Sequence, residues 1–159
     1  MKKRKVFRII AIIGIAGLLA GGGIGLYMFN KPHRDVQSAR ADYMLSSSQI
    51  VAEYLADNQA ANLKYLAADG NSKILEISGE VNKISENFKG QKVVLLNGVQ
   101  DRAGVSAIFT ADTNDNLKGI MPGQAITVKG VIRSGASYDE DLEMYENVIL
   151  EKSDIVKEK

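Results

Sequence analysis

The spacing of apolar residues changes character three times along the chain. Ile9 to Phe29 is an unbroken run of 21 residues without a charge, the length of about 20 apolar residues that a helix needs to cross a bilayer core. Further on, Ile50, Val51, Tyr54 and Leu55 fall on one helical stripe. Ser46 and Gln49 before them fit a capping box, and Leu45 with Ile50 fit a hydrophobic staple. Asp57-Asn58 interrupts this helix, and Ala60 to Leu66 predicts one or two further turns with Leu63 and Leu66 toward the core. Asp69-Gly70-Asn71 ends them.

From Lys73 the period becomes two. Ile74–Val81, with room to run on to Ile84, predicts a first strand with Leu75, Ile77 and Val81 on one face. Asn87-Phe88-Lys89-Gly90 reads as a turn, Gln91–Leu96 as a second strand, Asn97-Gly98 as a turn signal and Val105–Phe109 as a third strand. Asp112 to Ile120 suits a short helix capped by Asp112 or Asn114, broken by Met121-Pro122-Gly123. Gln124–Ile132 predicts a fourth strand, Ser134 to Asp141 a loop, and Leu142–Leu150 a fifth strand. In the first and fourth strands a glycine, Gly79 or Gly130, stands on the apolar face where a side chain is expected. Strand glycines of this kind mark sharp bends or close backbone approaches, as needed where one strand serves two sheets. Five strands with one short helix between the third and fourth predict a mainly β chain with short helices, an OB-fold. That is a five-stranded Greek-key barrel, here preceded by a short helical segment and a single N-terminal transmembrane helix. The alternative is another small barrel or sandwich with a helical hairpin packed on it. In the OB-fold Gly79 and Gly130 are structural, and the order of strands places them near each other on neighbouring strands.

Charge fixes the expected orientation. Lys2, Lys3, Arg4, Lys5 and Arg8 precede the apolar run, and no acid occurs in residues 1–30. Such a cluster stays cytoplasmic, which places the rest of the chain on the far side, in the periplasm or outside the cell. The expected organisation is a basic cytoplasmic N-terminus over 1–8, an anchor in the inner membrane over 9–29 and a juxtamembrane tether over 30–44. A helical segment plus barrel over 45–151 and a charged tail over 152–159 complete it. A cleaved signal peptide is the rival reading, but the run continues seven residues beyond a small-residue site at Ala20-Gly21-Gly22. Gly17, Gly21 and Gly25 lie four apart, a face on which two membrane helices pack closely, suited to a homodimer. His33 falls in the tether and is given no role.

Composition excludes more chemistry than it suggests. There is no cysteine and one histidine, so disulfides, thiolate sites, histidine clusters and the usual nucleophile–base pairs are ruled out. No phosphate loop or cofactor motif is present, and no enzymatic activity is expected. Asp112, Asn114 and Asn116 open like a calcium loop, but Leu117 and Gly123 stand where it requires glycine and glutamate. The run Asp139-Glu140-Asp141-Leu142-Glu143 with Glu146 reads as a solvated loop. For a ligand the expected positions are Phe88, Lys92, Arg102, Arg133 and Tyr138, in the loops and strands through which an OB-fold binds. Residues 73–151 hold eight basic and twelve acidic side chains, which disfavours nucleic acid as the partner. An unidentified protein or a small or oligomeric ligand fits better, and an oligosaccharide binder ranks with a nucleic-acid binder below the two readings that follow. The function expected is therefore a membrane-anchored binding or adaptor module, with a structural role in an envelope complex as the alternative.

Three stretches resemble the tRNA-anti-like family of bacterial envelope proteins, many of them predicted lipoproteins. They are Lys31-Pro32-His33-Arg34-Asp35-Val36 with Ala41-Asp42-Tyr43-Met44-Leu45-Ser46; Ala60-Ala61-Asn62-Leu63-Lys64-Tyr65-Leu66 leading into Ile74–Val81; and Pro122-Gly123-Gln124-Ala125-Ile126-Thr127-Val128-Lys129-Gly130 with Glu146-Asn147-Val148-Ile149-Leu150. The resemblance implies an OB-fold and an envelope location, and no reaction. Ala68 to Ser72 adds length, Val148 stands where many relatives have cysteine, and a membrane helix replaces the lipidated cysteine.

Overall fold

A computed structural model describes residues 35–157 and, within the preceding stretch, Gly22 alone. The expected anchor at 9–29, the Gly17, Gly21 and Gly25 face and His33 lie outside these residues. Among the described residues no helix is long and apolar enough to cross a membrane. Residues 35–159 form a compact unit, which holds every strand described below.

Short-range chemistry builds the start of that unit. The Asp35 carboxylate accepts from the Gln37 and Ser38 amides, and Val36 is 3% exposed. The Gln37 side-chain Nε2 donates to the carbonyls of Lys129 at 3.2 Å and Lys152 at 2.7 Å. The end of the expected tether is therefore fastened to the barrel. Strand β1 (Tyr43–Ser46) comes next and leads directly into helix α1 (Ser47–Ala56). Both halves of the capping box form: Ser46 Oγ accepts from Gln49 N, and Gln49 Oε1 accepts from Ser46 N. Such a cap is worth about 1 kcal/mol. Ile50, Val51 and Tyr54 are buried, while Leu55 sits at the rim. Asp57 breaks the helix and caps the next one, accepting from Ala60 N. Helix α2 (Asn58–Tyr65) starts two residues earlier than the sequence pattern suggests. Its packed stripe is not the expected one: Ala61 and Tyr65 face the core, and Leu63, expected inside, is 82% exposed.

The sheet closes into a barrel. Its strands are β2 (Ile74–Glu86), β3 (Lys92–Leu96), β4 (Val105–Phe109), β5 (Ala125–Ser134) and β8 (Val148–Ile155). They run in the order β2-β3-β4-β8-β5, with β5 returning to β2. The β4–β8 pair is parallel and the others antiparallel, the OB-fold arrangement. Within the barrel β2 serves two partners, pairing with β5 over Ile74–Glu80 and with β3 from Val81 onward. β1 lies parallel along its first half. Gly79 pairs with Ile126 at the switch, and Gly130 pairs with Leu75. The two glycines are thus on adjacent strands but four positions apart in register. Leu75, Ile77, Val94, Leu96, Val105, Phe109, Val128, Val148 and Leu150 fill the interior, each worth about 1.5–3 kcal/mol when fully buried.

Two expected elements take other forms. Between β4 and β5 there is only a 3-10 turn (Asn114–Leu117), whose Leu117 plugs the barrel. Neither Asp112 nor Asn114 caps it. Asn114 instead donates to the Gly90 carbonyl and accepts from the Lys92 amide, tying the turn to the β2–β3 connection. The expected last strand, Leu142–Leu150, is divided. β6 (Ser137–Asp139) and β7 (Met144–Glu146) make a separate hairpin, and β8 continues to Ile155 through residues read as a charged tail. Asn147 turns the corner, its side chain accepting from Gly104 N and donating to Ser106 Oγ. A bulge at Lys152, with φ of 53°, then puts Ser153, 0% exposed, at an inward position. A polar residue there conceals the period of two.

Candidate functional site

The five residues expected to bind a ligand separate between the ends and the flank of the barrel. Phe88 is fully exposed at the tip of the β2–β3 turn, held out because Asn87 Oδ1 accepts from Lys89 N and Gln91 N. With Lys89, Gln91, Ile108, Thr110, Glu151 and Lys152 it borders a shallow cleft of about 480 Å³. Lys92 opens β3 opposite Glu86. Arg133, near the end of β5, lies 4.0 Å from the Glu151 carboxylate with both side chains exposed, a pair of little energetic weight. Arg102 and Tyr138 do come together, at the other end.

There the β3–β4 loop, the β6–β7 hairpin and the helices enclose a depression of about 430 Å³ lined by Tyr54, Leu55, Asn58, Arg102, Ser137, Tyr138 and Tyr145. Tyr138 and Tyr145 are cross-strand partners, their rings 4.9 Å apart and tilted by 55°, a pairing that rigidifies a hairpin. Arg102 Nη1 donates to the Tyr145 hydroxyl at 3.1 Å, and the guanidinium lies 5.9 Å from that ring's centroid. Asn58 donates to the Ala136 carbonyl, joining α2 to the hairpin. Tyr54 is 1% exposed, and its hydroxyl is buried with no hydrogen-bond partner. Such an unpaired group costs about 1–3 kcal/mol. Burial, with the nearby Tyr65 and Glu53, pushes its pKa up to about 12, so it stays a neutral donor. Gly135 leaves room for that ring, since a Cβ there would overlap it.

Sequence reasoning found neither Tyr145 nor the role of Tyr54 and Asn58. Tyr138 and Tyr145 flanking an acidic tip were a legible hairpin signal. Tyr54, assigned to the core stripe, gave none.

The outer face of the barrel has a different character. Val93 pairs with Ile108, Leu95 with Ser106, and Ser106 with Ile149. These residues are half-buried and alternate with the inward set. They form an apolar stripe across β3, β4 and β8 with no aromatic ring or cation among them. Among the described residues no group of three or more His, Cys, Asp or Glu side chains is placed to hold a metal ion. In the acidic run, Asp139 Oδ1 accepts from the Asp141 and Leu142 amides, and Glu146 accepts from Ser137 Oγ.

Known proteins resemble the chain mainly in fold. No match is found among curated protein sequences. Among solved structures the chain is similar to a candidate nucleic acid-binding lipoprotein from Klebsiella pneumoniae, with 16% identity and a TM-score of 0.52 over 79% of this chain and 99% of that one. That likeness is one of fold. An asparaginyl-tRNA synthetase from Entamoeba histolytica matches at 14% identity over 55% of this chain and 21% of its own, with a TM-score of 0.37, below the level of a shared overall fold. The sequence profile of the tRNA_anti-like family matches residues 1–141, and with its five-stranded barrel the chain belongs to that family.

Proposed function

We propose that this protein is a binding or adaptor module of the cell envelope that engages a protein partner along the outer face of β3, β4 and β8. Residues 9–29 anchor it in the cytoplasmic membrane, N-terminus inside and barrel outside. The observation that carries the reading is the stripe of Val93, Leu95, Ile108 and Ile149 on the face where an OB-fold presents its ligand. Single-stranded nucleic acid needs stacking rings and a positive groove. Phe88, Lys89 and Lys152 border the stripe only at its Ile108 end, no ring or cation stands on the stripe itself, and the barrel as a whole carries more acid than base. The description of the Klebsiella lipoprotein makes nucleic acid the second reading, ranked lower for that reason. An apolar, half-exposed strip fits the core of a protein interface.

The test places a photocrosslinking residue at Leu95 or Ile108 of the full chain in native membranes, with exposed Leu63 as the control position. A discrete protein adduct from the stripe and none from Leu63 is expected. Salt-dependent binding of a single-stranded oligonucleotide, with no adduct from the stripe, would replace this reading with the nucleic-acid one. For the topology, a reporter fused after Lys159 should be active only outside the cytoplasm. Activity confined to the cytoplasm refutes it.

A further inference from the structure

We infer that the depression between the helices and the β6–β7 hairpin is a second binding site, for a saccharide ring carrying one carboxylate. It is built from Tyr54, Leu55 and Asn58 of the helical segment, Arg102 of the β3–β4 loop, and Tyr138 and Tyr145 of the hairpin. None of these belongs to the outer stripe, so the site stands or falls independently of a protein partner there.

Three features select the ligand. Tyr138 is 50% exposed and braced by Tyr145, so it presents a rigid ring with one wet side. The apolar C–H face of a pyranose stacks on such a surface, and aromatic platforms of this kind lose little conformational entropy on binding. Arg102 supplies the charge. The Tyr145 hydroxyl holds its guanidinium in place, yet no carboxylate among the described residues lies within ion-pair distance of it. The remaining donors of a positioned guanidinium match a carboxylate in bidentate fashion. The neighbouring Asp139, Glu140, Asp141 and Glu143 set the upper limit. They repel a polyanion, while a single carboxylate is matched by the one arginine. The size agrees, since about 430 Å³ lies low in the range of roughly 300–1,000 Å³ for small-molecule sites.

The experiment uses the full chain in detergent and saturation-transfer NMR with three probes: glucuronate, glucose and acetate. Glucuronate should show saturable transfer to its ring protons. Glucose should bind at least about tenfold more weakly, as should acetate, because each lacks half of the recognition. Tyr138→Ala should abolish the ring-proton transfer. Arg102→Gln should weaken glucuronate about tenfold while leaving glucose unchanged, and Arg102→Lys should restore part of the loss. Thermal melts of each variant, matched to the parent, separate lost binding from lost fold. Tyr138 is half exposed on a peripheral hairpin, so its truncation leaves the barrel intact. The inference is overturned if glucuronate gives no saturable transfer, if glucose binds as well as glucuronate, or if Tyr138→Ala binds like the parent.

Discussion

Gly79→Val tests whether the point at which β2 changes partners depends on a missing side chain. A Cβ on Gly79 would lie 2.7 Å from Ser47 Oγ, 3.1 Å from Ser47 Cβ and 3.2 Å from Leu96 Cβ. Carbon atoms pack best at about 3.5–4.0 Å, so both carbon contacts are about half an ångström too short before valine's two methyl groups are added. The Ser47 hydroxyl can rotate away. Its Cβ cannot, because Ser47 is the first residue of α1 and is 3% exposed, and Leu96 is fully buried. The start of α1 must therefore lift off the barrel. Overpacking of this kind costs about 1–3 kcal/mol. The better strand propensity of valine returns up to about 1 kcal/mol, leaving a net loss of about 1–2 kcal/mol and a Tm lower by roughly 3–8 °C. Urea and thermal melts of residues 35–159, monitored by circular dichroism, measure it. Ser47→Gly supplies the second arm of a double-mutant cycle, because removing Ser47 Cβ should reduce the cost of Gly79→Val. A midpoint that is unchanged or raised in Gly79→Val, or a cost equal in both backgrounds, refutes the close-approach argument.

Gly135→Ala should be costlier than an ordinary strand glycine substitution, about 2–3 kcal/mol in a melt, since the new Cβ overlaps the buried Tyr54 ring; a neutral result refutes that contact. Gln37→Ala removes two hydrogen bonds to the β5–β8 bulge and should lose about 1–2 kcal/mol, with faster amide exchange around Lys152. A fragment of residues 44–151 should melt below one of residues 35–157, because it lacks that clamp and Ser153–Ile155 of β8; equal midpoints would show that neither matters. The Glu53 carboxylate is held below its ordinary value of 4.5, first by its bond to the Lys64 ammonium and then by the Tyr65 hydroxyl. A carboxyl of lowered folded pKa contributes stability above the unfolded value and loses it as pH falls through the folded one. The Tm should therefore drop as pH is lowered from about 5, and Glu53→Gln should flatten that slope; an unchanged slope refutes the assignment.

What the chain determines by itself is what neighbours in sequence can arrange. Ser46 and Gln49 cap α1 because the bonded atoms lie within three residues of each other. The alternation of Leu75, Ile77 and Val81 specifies a half-buried strand whatever its partner, and the break at Asp57 is written in a side chain that caps the next helix. The first four barrel strands follow from such local signals. Only the tertiary structure decided the rest. β8 reaches Ile155 because a bulge at Lys152 turns Ser153 inward against β5, and no periodicity anticipates a buried serine. Leu63 faces out because α2 packs on the core through Ala61 and Tyr65, a choice made by its neighbours in space. The candidate site is the clearest case. Arg102 and Tyr145 are 43 positions apart, Tyr54 comes from a helix that sequence assigns to the core, and the room for its ring is a missing side chain at Gly135. Their meeting depends on how loops at one end of a closed barrel are placed in space, which is fixed by long-range pairing and not by any residue's own neighbours.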